Sequence, residues 1–382
     1  MNKSVLHILL LLLLLMQACT SELPEVPGRA VALMSYTSQA VTRADSAILA
    51  ENGIPGGTSI GVYAYYHDNA TWADDAVPNF MLNQRATNNG LNEPFSYSPV
   101  KYWPNEEEDK LSFIAYYPYC SGSAADIDKT GITPELNNLG AGVPHGYGLP
   151  TFRYQVKNDV KKQCDFMVSD LKVNLPDSRA TDPNPGNPFD NLRIIDRVRF
   201  YFRHATSKIE FRVTVADDIR DDLAYFILRS IDITNIYDEG LLTVGYNSGA
   251  GSTNMVWSDF SDAHKSDYSC KTTEAYLLLP QTLRNDARLS IGYDLAFKSE
   301  GTTYTYSGTT PVANEEYVYS NRSASVQLNT LTPNGSATPL TTWLPNHHYL
   351  YVIRLGAKRI DFTAQVVDWG DAVDINEITV EE

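Results

Sequence analysis

The chain has 382 residues, with 30 Lys plus Arg against 46 Asp plus Glu, a net charge of -16 and 43% apolar residues. That length exceeds one ordinary core and that apolar content can fill two, so a globular product of two domains is expected. The acidic balance argues against a nucleic-acid partner, whose phosphates are held by clustered Lys and Arg, and disfavours polyanionic membrane surfaces.

The chain opens on Lys3, an unbroken apolar run from Ile8 to Met16, and then Gln17, Ala18 and Cys19. A positive end, a short apolar segment and a small residue before the processing point form a secretory signal. The run is too short for a bilayer, which needs roughly 20 apolar residues. A cysteine directly after Ala18 resembles the lipobox of bacterial lipoproteins, in relaxed forms similar to those of Bacteroidetes. In such boxes the thiol is diacylated and becomes the new N-terminus. Residues 1–18 are therefore expected to be a lipoprotein signal peptide, with Cys19 lipidated; plain secretion is the alternative. The other cysteines, Cys120, Cys164 and Cys270, allow at most one disulfide and have no metal-ligand spacing. They are expected to act as small buried hydrophobes.

Pro24 and Pro27 mark an extended tether. Val31 to Thr37 has apolar residues on both parities and predicts a short strand buried on both sides or placed peripherally. Val41 to Asp45 is polar and contains Arg43. In Ser59 to Tyr66, Ile60, Val62, Ala64 and Tyr66 alternate with Gly61, Tyr63 and Tyr65, which predicts a strand with one face inward. An island at Phe80 to Leu82 predicts a strand between loops, and Glu106 to Asp109 a solvated turn. Leu111 to Tyr119 is the clearest strand of the first half, closed by Pro118. Ser121 to Leu149 reads as one long loop, and nothing in this first half has the period of an amphipathic helix. Two short strands, Thr151 to Val156 and Cys164 to Ser169, follow. Pro183, Pro185 and Pro188 place the domain boundary within 177–191.

The second half opens with Arg197 to Val215, two strands or one long bent one. Further strands are predicted at Phe226 to Ile233, Leu241 to Tyr246, Tyr276 to Leu279 and Arg288 to Lys298. Tyr349 to Leu355 and Ile360 to Val367 form a hairpin. Strands at this spacing without intervening helices predict an all-β fold of antiparallel sandwiches.

No spacing announces catalysis: H-E-x-x-H, G-x-S-x-G and the phosphate-loop pattern are missing. The Gly-rich run Asn247 to Asn254 lacks a following Lys and reads as a surface turn. His347 and His348 are adjacent, so on a strand they face opposite ways and cannot easily share a metal. Asp368, Asp371 and Asp374 read as a solvated acidic end. No cofactor or metal is expected. The 24 tyrosines suit either half-buried strands or sugar-stacking surfaces, and the strand reading is preferred.

Several segments together resemble the fimbrillin family of Bacteroidetes, whose members build type V pili. They are the lipobox, Val41-Thr42-Arg43-Ala44, Ile60-Gly61-Val62-Tyr63, Lys101-Tyr102-Trp103-Pro104 and Leu111 to Pro118. Phe202 to Ile209, Leu279-Pro280-Gln281-Thr282 and Phe362 to Trp369 complete the set. The resemblance implies two transthyretin-like antiparallel β-sandwich domains after a lipoprotein signal peptide. On this chain they fall at 44–192 and 193–382, behind a tether and removable first strand at 19–43. It implies an outer-membrane, lipid-anchored protein of the cell surface that becomes a structural or adhesive fimbrial subunit. A trypsin-like, Arg-specific protease would cut after Arg43, with Arg29 a poorer candidate, and remove the strand carrying Val31, Leu33, Met34 and Tyr36. The open groove would accept a donor strand from another pilus subunit. Ile375, Ile378 and Val380 are the apolar residues of the candidate donor, and a tip or anchor position is the alternative to a stalk. Host or bacterial surface ligands are further implied partners. The competing reading is a surface lipoprotein that binds glycans.

Overall fold

Val, Ile, Tyr, Phe and Thr at alternate positions pack well on a pleated surface, and these residues dictate most of the architecture. The computed structural model describes residues 30–35, 54–90, 93–104, 108–136, 147–176, 197–216, 224–297, 317–356, 359–367 and 369. The first half supplies strands β1 (Ala32–Ser35), β2 (Ser59–His67), β3 (Met81–Thr87), β4 (Ser96–Tyr97) and β5 (Lys110–Tyr117). A short helix, α1 (Ala124–Thr130), precedes β6 (Ile132–Leu136), β7 (Pro150–Gln155), β8 (Met167–Ser169) and β9 (Lys172–Pro176). Then follow β10 (Arg197–Phe200), β11 (Phe202–His204), β12 (Ser207–Val215), β13 (Ala224–Tyr237), β14 (Glu239–Asn247) and β15 (Ser252–Ser258). The last strands are β16 (Lys265–Cys270), β17 (Tyr276–Leu278), β18 (Arg288–Phe297), β19 (Tyr317–Gln327), β20 (His348–Leu355) and β21 (Ile360–Val367). The fold is all-β, as expected.

The strands form a two-stranded sheet β1-β10, a large sheet β11-β8-β5-β2-β3-β4 with β9 also on β5, and three four-stranded sheets. These are β15-β14-β7-β6, β17-β12-β20-β21 and β16-β13-β18-β19. Among the described strands, pairing is antiparallel except for β1 with β10 and β12 with β20, which run parallel. Those two pairs depart from the all-antiparallel expectation. Parallel partners need long crossovers, so nothing in a local stretch of sequence announces them.

The large sheet is covered on both faces. Ile60, Val62, Ala64 and Phe113 pack into one apolar cluster with Val198 and Phe200. Tyr63, Tyr65, Ile114 and Tyr116 pack into the other, with Phe152 and Phe166. The expectation of one inward face for Ser59 to Tyr66 is thereby corrected: tyrosines on the second parity serve a second core layer. Gly61 lies on that parity because a Cβ there would fall 2.1 Å from the Tyr116 ring. Much of the tyrosine content is core: Tyr65, Tyr116, Tyr154, Tyr268, Tyr349 and Tyr351 are among the largest fully buried side chains.

Two other expectations are corrected. Ser121 to Leu149 contains α1 and β6 rather than loop alone. Ser123 caps α1 by accepting from the Asp126 N–H, and Gly131 ends it in the left-handed region with φ 74°. Asp109, read as part of a solvated turn, is buried and accepts from Tyr66 Oη at 2.7 Å. The Asn247 to Asn254 run contains the turn expected there, residues 248–251 between β14 and β15, while its ends belong to the two paired strands. Cys120, Cys164 and Cys270 are free thiols, the first and last buried.

Strand pairing runs across the proline-rich stretch. β10 and β11 follow residue 192 yet pair with β1 and β8, and β14 pairs with β7. Residues 177–196, which hold the proposed boundary, lie outside the described residues.

Candidate functional site

The first strand is short, yet both of its edges are occupied. On one side Ala32, Leu33, Met34 and Ser35 pair in parallel register with Arg197, Val198, Arg199 and Phe200 of β10. On the other, the Val31 N–H donates to Lys101 O at 2.9 Å and the Phe95 N–H donates to Leu33 O at 2.8 Å. Tyr97 Oη donates to Val31 O at 2.6 Å. Burial pushes the Tyr97 phenol above its usual range. An antiparallel bridge between Ala30 and Tyr102 closes the end. β1 therefore sits between β10 and the 95–102 segment as an inner strand would.

Its side chains complete a core. Val31 is 1% exposed, Leu33 0% and Met34 5%. Val31 and Leu33 pack in the cluster of Ile60, Val62, Phe95, Trp103 and Phe113. Of the two alternatives the sequence left, two-sided burial is the one that Val31 and Leu33 on one parity and Met34 on the other adopt, with Ala32 partly buried. Trp103 lines the same cluster, 6.1 Å from the Phe113 ring, and its indole Nε1 is buried with no hydrogen-bond partner.

Three of the four residues assigned to the first strand, Val31, Leu33 and Met34, are brought together in one buried element. Tyr36, Cys19, Arg29 and Arg43 lie outside the described residues, as do Ile375, Ile378 and Val380. Sequence reasoning did not find the groove walls. The 95–102 segment drew no reading beyond the Lys101-Tyr102-Trp103-Pro104 resemblance, while Arg197 to Val215 was read as one or two strands whose partners nothing local could name.

What this arrangement can do follows from what it would leave behind. Without β1, the β10 edge and the Phe95 N–H lose their partners, the Lys101 carbonyl loses the Val31 N–H, and an apolar floor meets water. Unpaired backbone beside exposed apolar surface is the usual template for capturing another strand.

A second constellation lies where the chain leaves β21. Trp369 stacks on His204 with ring centroids 3.8 Å apart and planes at 13°. His204 is 0% exposed, and its Nδ1 lies 2.5 Å from Asp165 Oδ1. Its backbone N–H donates to Asn346 Oδ1 at 3.1 Å, and Trp257 Nε1 donates to Ala205 O at 2.8 Å. This junction ties β11, β15 and the approach to β20 to the end of β21. Among the described residues no group of His, Cys, Asp and Glu is arranged to hold a metal ion.

Comparison with known proteins was made against this geometry. The fimbrillin-like family profile matches residues 42–369. No curated protein matches the chain. Among solved structures, the chain is similar to a fimbrial protein from Bacteroides vulgatus, with a TM-score of 0.54, 18% identity and coverage of 89% of this chain and 99% of that one. A candidate cell adhesion protein from Bacteroides ovatus gives a TM-score of 0.48 at 13% identity, covering 91% of this chain and 99% of that one. A second, from Bacteroides uniformis, gives 0.45 at 16% identity, covering 89% and 98%. At such identities the first likeness is one of fold, and the other two carry no further argument. The profile spans most of the sequence, including the large sheet, the His204 junction and the β20–β21 hairpin, and on that ground the chain belongs to the fimbrillin-like family.

Proposed function

We propose that the chain is a subunit of a cell-surface fimbria, held in an unassembled form by its own first strand. The observation that carries this reading is β1 itself, a short N-terminal strand bonded on both edges and buried to 0% exposure at Leu33. In this reading Cys19 carries a lipid that tethers the precursor to the outer membrane, and a trypsin-like protease cuts after Arg43. The lipid and β1 then leave together. A strand from a neighbouring subunit fills the groove, and Ile375, Ile378 and Val380 are the apolar residues that the chain's own tail offers in turn. Head-to-tail donation builds a filament rather than a closed ring.

Magnitudes support the need for both a cut and a replacement. Burying each of Val31, Leu33 and Met34 contributes roughly 1.5–3 kcal/mol, so the three together contribute roughly 5–9 kcal/mol. At about 1.4 kcal/mol per tenfold, an uncut β1 detaches in fewer than about one molecule in a thousand. Cleavage turns the strand into a separate peptide, and an incoming strand can then compete for the same floor.

Under the same reading the chain forms two β-sandwich units. The change of unit falls near His204, since β10 and β11 serve the first unit and β12 the second. The experiment is limited digestion of the full chain with an Arg-specific protease, read by intact mass and electron microscopy. Loss of residues 1–43 followed by filaments is expected, and Arg43→Ala should block both. Cleavage elsewhere, or filaments formed by the uncut chain, would refute the proposal.

A further inference from the structure

Asparagine is followed by glycine at three places, Asn52-Gly53, Asn89-Gly90 and Asn334-Gly335. The first lies outside the described residues. In such a pair the side-chain carboxamide stands within reach of the next backbone nitrogen, and glycine has no Cβ to hinder ring closure. Whether the ring closes depends on what holds the two groups.

The two described pairs are held in opposite ways. Asn89 Nδ2 donates to Pro94 O at 2.7 Å, and Asn89 Oδ1 accepts from Ser96 Oγ at 3.1 Å. The Gly90 N–H donates to Asn88 Oδ1 at 3.0 Å. Both reacting groups are therefore engaged. At the other pair, nothing among the described residues bonds the Asn334 carboxamide or the Gly335 N–H. Both residues are exposed, and a Cβ added to Gly335 would meet nothing within 4 Å.

The backbone around this free pair is nonetheless fixed. The Ser336 N–H donates to Pro333 O at 2.9 Å across a turn that has Gly335 at φ 81°. A turn of this kind uses the N–H of its last residue and leaves that of its third residue free. The Leu340 N–H donates to Leu331 O at 2.8 Å at the base of the loop. The Asn334 N–H donates to Ala364 O at 3.0 Å, and Pro333 forms a parallel bridge with Ala364. Ala364 pairs with Tyr351 of β20 on its other side, so the turn clamps the outer edge of β21.

We propose that Asn334-Gly335 is a self-modifying site, at which the folded chain converts asparagine to aspartate and isoaspartate, while Asn89-Gly90 is protected. Hydroxide takes the Gly335 amide proton, and the nitrogen attacks Asn334 Cγ. The N–Cγ bond forms, the Cγ–Nδ2 bond breaks, and Nδ2 takes a proton from water and leaves as ammonia. Water then opens the succinimide. Addition at Cγ restores the ordinary peptide and leaves aspartate; addition at the main-chain carbonyl leaves isoaspartate, whose peptide link runs through the side chain. Either product adds a carboxylate to the turn, and isoaspartate lengthens its backbone where it meets β21. The site needs no partner and does not depend on the fimbrial reading.

The test incubates the full chain in mildly alkaline buffer, folded and in urea, and follows Asn334 and Asn89 by peptide mapping with electron-transfer fragmentation, which separates aspartate from isoaspartate. In the folded chain Asn334 should convert at least roughly tenfold faster than Asn89, because Asn89 must first break its hydrogen bonds. In urea the two rates should converge. Ser96→Ala, which removes one bond from the exposed Asn89, should speed conversion there and leave Asn334 unchanged. Equal rates in the folded chain, a difference that persists in urea, or an Asn334 that converts only after unfolding would overturn the proposal.

Discussion

Leu33→Ala is the most informative single substitution in the first strand. Leu33 is 0% exposed and its carbonyl accepts from Phe95, so the change removes buried methyl groups from a strand held on both edges. A Leu→Ala change in a core costs about 2–5 kcal/mol, with the larger values where the surroundings cannot collapse into the cavity. Here β10 on one side and the 95–102 segment on the other keep the walls apart, which argues for about 3 kcal/mol. If that loss falls on the docking of β1, its detached fraction rises about a hundredfold, at 1.36 kcal/mol per tenfold. Native-state hydrogen exchange of the Val31 and Phe95 amides reads this fraction directly, because both bonds break when β1 leaves. The exposed Val366→Ala, on β21, is the control and should change neither amide. Unaltered exchange at Val31 and Phe95 in Leu33→Ala, with global stability within about 1 kcal/mol of the parent, would refute the assignment of β1 to the core.

Gly61→Ala should destabilise the large sheet by about 1–3 kcal/mol, measured by urea unfolding, because its new methyl group meets the Tyr116 ring. His204→Ala and Trp369→Ala should each destabilise the junction, and a double-mutant cycle should return a coupling of about 0.5–1.5 kcal/mol; additivity would show that the stack contributes nothing. Burial pushes the Glu210 carboxyl up, but hydrogen bonds from His348 and Lys208 and the charge of Lys208 outweigh it and hold the group down to about 2. The folded value lies below the unfolded one, so the stabilisation is complete above about pH 4.5 and is lost as the pH falls through about 2. Glu210→Gln should flatten the acid limb of stability in that window, and an unchanged limb would contradict the ion-pair geometry.

What could be read from the sequence was local. Alternation in Ser59 to Tyr66, Leu111 to Tyr119 and Ile360 to Val367 placed β2, β5 and β21 within a residue or two, since a period of two is carried by the strand itself. The same alternation could not say whether a second face was covered. Tyr63 and Tyr65 share a core cluster with Phe152 and Phe166, and Tyr116 meets the Phe152 ring, only after the sheet containing β7 folds over them. Helix α1 escaped notice because seven residues are too few for a 3.6-residue period, although Ser123 and Gly131 were its start and stop signals. Of the candidate site, the strand was legible and its seat was not. Apolar residues on both parities at Val31 to Met34 left two-sided burial and a peripheral position both open, whereas the parallel pairing of Ala32 with Arg197 joins segments too distant in sequence for any local pattern to connect. Asp109 went astray for the opposite reason: three acidic neighbours implied solvent, and one tyrosine hydroxyl from β2 drew it inward.

The groove is tested most directly by a photoreactive residue at Val198, on the wall that pairs with Leu33, in filaments assembled from protease-treated subunits. The expected result is a cross-link from Val198 to a strand of another subunit, with no peptide from residues 30–35 attached. A cross-link to the chain's own Leu33 in the assembled filament would mean that β1 never leaves, and would contradict assembly by strand replacement.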